Sequence, residues 1–171
     1  LVVDLGTIGP VAARRAAARV AGAGGRYCDA PVLGSVPAVR AGTLTVLAAG
    51  DAADLARARV ALDAFAARVV HAGPAGSGNV LKLAMNLLVG GFTELLAEAT
   101  LLAERAGVEA DTVRAALEAS VLRSPFLDYK GAQLFGRTFH PALATVAMLR
   151  KDLDLALDLG VAVGAPLPAT N

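Results

Sequence analysis

The feature that most constrains this chain is a change of character at Gly73-Pro74-Ala75-Gly76. Before it, short apolar runs alternate with helical stretches. After it, the pattern is almost entirely helical. Leu1–Leu5 reads as a buried strand, Tyr27–Val32 as a second, Thr43–Ala48 as a third and Arg68–His71 as a fourth. Between them, Pro10–Ala23 reads as a helix, with Pro10 in its first turn and Gly22 and Gly24-Gly25 ending it. Asp51 is placed to cap a second helix over Ala52–Phe65. Strand–helix alternation implies an α/β layer with parallel pairing. Beyond residue 76 the spacing predicts helices over Ser77–Ala106 (stopped by Gly107), Ala110–Ala119, Ser124–Phe135 and Pro141–Gly164. The expected fold class is therefore α/β followed by all-α, with domains at 1–76 and 77–171.

Composition narrows the class. The chain has 171 residues, of which 56% are hydrophobic and 18% charged, and this excludes a disordered chain. A net charge of +1, with acids and bases interspersed, attracts neither nucleic acid nor acidic lipid. The longest uncharged apolar run, Leu83–Thr93, is too short to span a bilayer. The single cysteine, Cys28, has no internal disulfide partner and suits a reducing cytoplasm. Both ends read as cut. Leu1 begins inside a strand-like run with no methionine, and Pro166–Asn171 stops where another helix can start, so a longer parent protein is expected.

One lysine interrupts the least charged stretch. Between Arg68 and Glu94 the only formally charged side chain is Lys82. An ammonium in apolar surroundings costs free energy unless it is paired, wet or used, and burial lowers its pKa toward the range of proton exchange. The other reading is a snorkelling lysine with its head in water. Asn86 lies four residues on and shares its helical face, so the pair can hold and protonate a carbonyl oxygen. Gly73, Gly76 and Gly78 form a hinge or allow a close approach at the helix start. Leu33-Gly34-Ser35 follows a strand, where ligands collect in open α/β sheets; free amides at Gly34 and Ser35 suit an anion, and an ordinary turn is the alternative. Thr7 either caps the helix that follows or touches a ligand at the same sheet edge. Arg150, Lys151, Asp152, Asp154 and Asp158 read as a solvated, salt-bridged helix face. His71 and His140 have no partners at metal spacing, and no metal site is expected.

Together, Asp4…Thr7…Pro10, Asp29-Ala30-Pro31-Val32…Gly42-Thr43-Leu44, Gly76-Ser77-Gly78…Lys82…Asn86 and Lys151-Asp152-Leu153 resemble the β-hydroxyacid dehydrogenase family. This family includes 3-hydroxyisobutyrate dehydrogenase and the tartronate semialdehyde, glyoxylate and succinic semialdehyde reductases, and is related to 6-phosphogluconate dehydrogenase. The resemblance covers essentially the whole chain. It implies part of a Rossmann-type domain binding NAD or NADP, then a helical domain that shapes the substrate site and a homodimer or higher homo-oligomer. It implies Lys82 as general acid or base, and Asn86, Leu33, Gly34 and Ser35 around a small-molecule substrate. It places Thr7 and Lys151 beside the cofactor.

Three departures follow. The family's glycine-rich dinucleotide fingerprint is absent and is expected upstream of Leu1. Leu33 stands where a serine is usual and Ser35 where a second glycine is usual, favouring a bulkier or less polar substrate group. Met85 replaces the first of two asparagines, and the spacing from Phe139-His140-Pro141 to Lys151 reads as one residue off. The expected function of the parent protein is hydride transfer between nicotinamide and a small hydroxy acid or semialdehyde, and this stretch by itself is expected to be inactive. The rivals are a non-catalytic dimerisation module that kept the fold and an imine reductase-like enzyme; the lysine at position 82 counts against the latter.

Overall fold

The computed structural model describes residues 1–140, 142 and 144–170. The elements run β1 (Val2–Asp4), α1 (Pro10–Gly22), β2 (Tyr27–Asp29), β3 (Val32–Leu33), α2 (Val36–Arg40), β4 (Leu44–Ala49), α3 (Ala52–Leu62) and β5 (Ala66–Gly73). Four helices follow: α4 (Ser77–Arg105), α5 (Ala110–Ala119), α6 (Pro125–Phe135) and α7 (Val146–Val163). The α/β-then-helical order is as the sequence implies. Pro141, given above as the start of the last helix, lies outside the described residues. The helix itself begins at Val146, where the Thr145 hydroxyl accepts from the Met148 amide, and Gly164 ends it in the left-handed region.

The sheet is mixed rather than parallel throughout. β1 pairs with β2 and β4 with β5 in parallel, while β2 and β3 each pair with β4 antiparallel. The pairs Asp29↔Ala49, Val32↔Val46 and Leu33↔Thr45 keep one register, so β2 and β3 are one strand interrupted at Ala30-Pro31. Pro31 has no amide to donate, although its carbonyl accepts from the Leu47 amide at 2.8 Å. The reversal follows from the short connection between β3 and β4. It holds only the single-turn helix α2, which the sequence reading missed and which is too short for a crossover to a parallel neighbour.

Two compact units divide the chain. Leu1–Leu88 with Leu143–Asn171 forms the first, and Val89–Ala142 the second. In the first, one sheet face buries Cys28, Ala30, Val46 and Ala48 against Leu55, Ala58 and Leu62 of α3. Asp51 caps α3 as expected, its carboxylate accepting from the Ala53 amide at 2.9 Å. Side chains alternate along a strand, so Asp29, between Cys28 and Ala30, points to the opposite face. There it meets the start of α4. In the second unit, Ser124 caps α6 by accepting from the Leu127 amide, and Phe92 meets Phe126 edge-to-face at 5.5 Å.

By length and composition α4 is the one described helix long and apolar enough to cross a membrane. Its first turns carry buried Asn79 and Asn86, both hydrogen-bonded within the first unit. Gly78 lets this part of α4 lie against the sheet. A Cβ there would collide with the Leu47 carbonyl oxygen and sit 2.9 Å from Asp29 Oδ2. Gly91, in the same helix, has nothing described within 4 Å of a Cβ position. Gly78→Ala is therefore expected to lower stability by about 1–3 kcal/mol through overpacking. Gly91→Ala should raise it by up to about 1 kcal/mol through helix propensity. Urea titration of the two variants checks this; equal effects would refute the close approach at Gly78.

Candidate active site

Two buried polar knots organise the carboxyl edge of β1 and β2. The first is built on Asp29, which is fully buried. Its Oδ1 accepts from the Gly76 amide at 2.7 Å, and its Oδ2 accepts from the Asn79 amide at 3.0 Å and from Asn79 Nδ2 at 3.3 Å. A strand residue thus caps α4, placing a negative charge at the positive end of the helix dipole. Asn79, also fully buried, turns its Oδ1 to the Ile8 and Gly9 amides, both at 3.0 Å. Thr7 does not cap α1. Gly9 is the N-cap and brings no side chain of its own, so Asn79 serves the helix from 70 residues away.

The second knot lies on α4 and α7. Asn86 is buried and its Nδ2 donates to Asp152 Oδ2 at 2.6 Å. Lys151 Nζ lies 2.6 Å from Asp152 Oδ1 and also donates to the Thr7 carbonyl oxygen at 2.6 Å. The chain Asn86–Asp152–Lys151–Thr7 therefore joins three of the sequence-proposed residues through a fourth, Asp152. The expectation that Asp152 belongs to a solvated face is corrected: it is 9% exposed because it faces Asn86. The rest of that expectation holds in part, with Arg150 and Asp154 forming an exposed pair at 4.0 Å.

Lys82 is half-buried on α4, one turn before Asn86. Burial pushes its ammonium below the ordinary lysine range, the Asp152 carboxylate pulls it back up, and the Lys151 charge lowers it again. Leu33, Gly34 and Ser35 stand at the exit of β3. Leu33 pairs with Thr45, Gly34 has φ 123°, and Ser35 is the N-cap of α2 without a side-chain cap bond. None of the three is hydrogen-bonded to the Asn86–Thr7 chain among the described residues. The site residues the sequence reading passed over are Asp29, Asn79 and Asp152. Each is a buried polar side chain with a hydrogen-bond partner 47 or more positions away, a distance that spacing rules do not reach. Among the described residues no group of histidines, cysteines and carboxylates could hold a metal ion.

This architecture, a Rossmann-type nucleotide-binding sheet followed by a helical region, defines the class: part of a dinucleotide-dependent dehydrogenase fold. Residues 1–73 match the family described as the NAD binding domain of 6-phosphogluconate dehydrogenase. Residues 76–171 match that described as NAD-binding of NADP-dependent 3-hydroxyisobutyrate dehydrogenase. The chain belongs to the 3-hydroxyisobutyrate dehydrogenase family. It is 34% identical to 2-hydroxy-3-oxopropionate reductase of Escherichia coli (strain K12) over 99% of its own length and 58% of that protein's. Its fold is similar to that of Mycobacterium tuberculosis 3-hydroxyisobutyrate dehydrogenase with L-serine, at a TM-score of 0.87, 30% identity and coverage of 98% and 60%. It is also similar to Psf3 in complex with NADP+ and 2-OPP, at a TM-score of 0.81, 27% identity and coverage of 91% and 55%. The chain thus spans under two thirds of the length of these relatives.

Thr7, just after β1, is half-buried and its hydroxyl has no partner among the described residues, while the backbone around it is held in place. The knot itself is testable. Asp152→Ala leaves Asn86 Nδ2 buried without its acceptor and should cost about 1–3 kcal/mol. Asp152→Asn keeps an acceptor oxygen and should cost less. Thermal unfolding distinguishes them, and equal losses would mean the hydrogen bond to Asn86 does not carry the effect.

Proposed function

We propose that this chain carries the proton-transfer site of an NAD- or NADP-dependent oxidoreductase acting on a small hydroxy acid or semialdehyde-type substrate. The observation that carries the reading is Lys82, a half-buried lysine with a lowered pKa beside the Asn86–Asp152 pair. Lys82 Nζ donates a proton to the substrate carbonyl oxygen during reduction and takes it from the hydroxyl during oxidation. Asn86 holds that oxygen, its own side chain fixed by Asp152. When bound, the nicotinamide supplies or accepts the hydride on the substrate carbon. Thr7 and Lys151 would flank it, and Lys151 would act chiefly by holding the Thr7 carbonyl.

Leu33, Gly34 and Ser35 would shape the substrate end of the pocket, with Leu33 favouring a less polar group. In this reading residues 1–76 serve cofactor binding and residues 77–171 serve substrate binding and association into a homodimer or higher homo-oligomer. The reducing cytoplasm suits Cys28, whose buried thiol is pushed up in pKa by desolvation. The imine reductase-like alternative is disfavoured by a lysine at position 82.

Lys82→Ala should lower kcat by about 10²–10⁴ while leaving cofactor affinity nearly unchanged. Carbonyl reduction should fall as pH rises through the Lys82 pKa, since the acid form is lost. Hydroxyl oxidation should rise over the same interval. Both limbs should lie below the ordinary lysine value of about 10.4. Because the Asp152 charge raises the Lys82 pKa, Asp152→Asn should move them to lower pH. Steady-state kinetics on the purified full-length protein with NADH and NADPH against small aldehydes, keto acids and semialdehydes provide the test. Near-normal turnover in Lys82→Ala would overturn the assignment.

A further inference from the structure

We infer that Asn79 is a positioning residue that sets the Gly6–Gly9 turn against the first turn of α4, and so sets the spacing between Thr7 and Lys82. This rests on the function proposed above for Thr7 and Lys82. Four hydrogen bonds hold the turn. Asp4 Oδ1 accepts from the Gly6 amide at 2.8 Å, Lys151 donates to the Thr7 carbonyl at 2.6 Å, and Asn79 Oδ1 accepts from the Ile8 and Gly9 amides at 3.0 Å each. Thr7 is thus fixed on both sides while its hydroxyl is left without a partner among the described residues.

The chemistry selects an asparagine. The side chain must accept two amides on one side and donate to the Asp29 carboxylate on the other. An aspartate would put a second negative charge against Asp29, and an apolar side chain would strand the Ile8 and Gly9 amides. Asn79 also lies three residues before Lys82, about 4.5 Å along the helix axis. The turn is therefore tied to the helix that carries the proton donor. Asp29 completes the arrangement by holding the Asn79 amide and side chain from β2.

The test compares Asn79→Ser, Asn79→Gln and Leu83→Ala in the purified full-length protein. Leu83 is 1% exposed on the same helix and serves as the control for lost stability. Two measurements are made: hydrogen exchange at individual amides, and steady-state kinetics with NADH and NADPH. In Asn79→Ser the Ile8 and Gly9 amides should exchange about tenfold faster than in Leu83→Ala, matching the loss of one hydrogen bond. KM for the cofactor should rise about tenfold, with the pH limb of kcat unmoved. Asn79→Gln keeps both groups one methylene out of place; it should fold and show smaller shifts in both measurements. Unchanged Ile8 and Gly9 exchange, in Asn79→Ser or in Asn79→Gln if the former does not fold, would overturn the inference. So would faster exchange with an unchanged cofactor KM, or the same KM rise in Leu83→Ala. Absence of nicotinamide-dependent turnover in the unmodified full-length protein would sink the dehydrogenase reading by itself, and the exchange rates would still decide whether Asn79 holds the turn.

Discussion

The Asp29 carboxylate is the constraint on which the rest of the first unit depends. It sits on the sheet face away from the α3 core, fully buried, where an unpaired charge would cost several kcal/mol. It is accommodated because α4 begins directly against it. The Gly76 and Asn79 amides are two of the donors that every helix start leaves unsatisfied within itself, and Asp29 accepts both. The same contact dictates Gly78, since no Cβ fits between α4 and the Leu47 carbonyl. It also aims Asn79 at the N-terminus of α1. One carboxylate thus joins β2, α4 and, through Asn79, the turn after β1.

The candidate site is a consequence of that join. With the start of α4 held against the sheet, Lys82 and Asn86 occupy the next two turns. α7 brings Asp152 to Asn86 and Lys151 to the Thr7 carbonyl. The acid–base behaviour of Lys82 then reflects three competing influences. Burial lowers its pKa most, Asp152 opposes that, and the more exposed Lys151 adds a smaller lowering. Asp152 has two roles that act together: it orients Asn86 by a hydrogen bond and it restrains how far the Lys82 proton is loosened.

Much of the fold was legible in the chain because local rules governed it. β1, β4, α1 and α3 follow from apolar runs, Pro10, the Asp51 cap and glycine stops, and the structure places them within a few residues of expectation. Parallel pairing was expected and holds for β1 with β2 and β4 with β5, but β2 and β3 meet β4 antiparallel because alternation alone does not weigh loop length. The solvated-face reading of Asp152 failed because helical periodicity shows which residues share a face, not what that face meets. Lys82, Asn86, Thr7 and Lys151 could be singled out from the sequence through isolation in an apolar run and through family resemblance. Asp29 stood in a quoted motif and Asn79 in the gap of another, but nothing local showed that they bond to each other across 50 positions.

By itself, the sequence determined the element order apart from α2, the change from α/β to helix near residue 76, and the helix that carries the lone lysine. These follow from hydrophobic periodicity and turn chemistry, which act over a few residues. The tertiary structure alone decided the reversal of β4, the capping of α4 by Asp29, the service of Asn79 to α1 and the inward turn of Asp152. Each satisfies buried polar groups with partners 12 to 71 residues distant. Such groups cannot stay unpaired away from water, yet which partner they find depends on how the elements pack, and no local pattern encodes that.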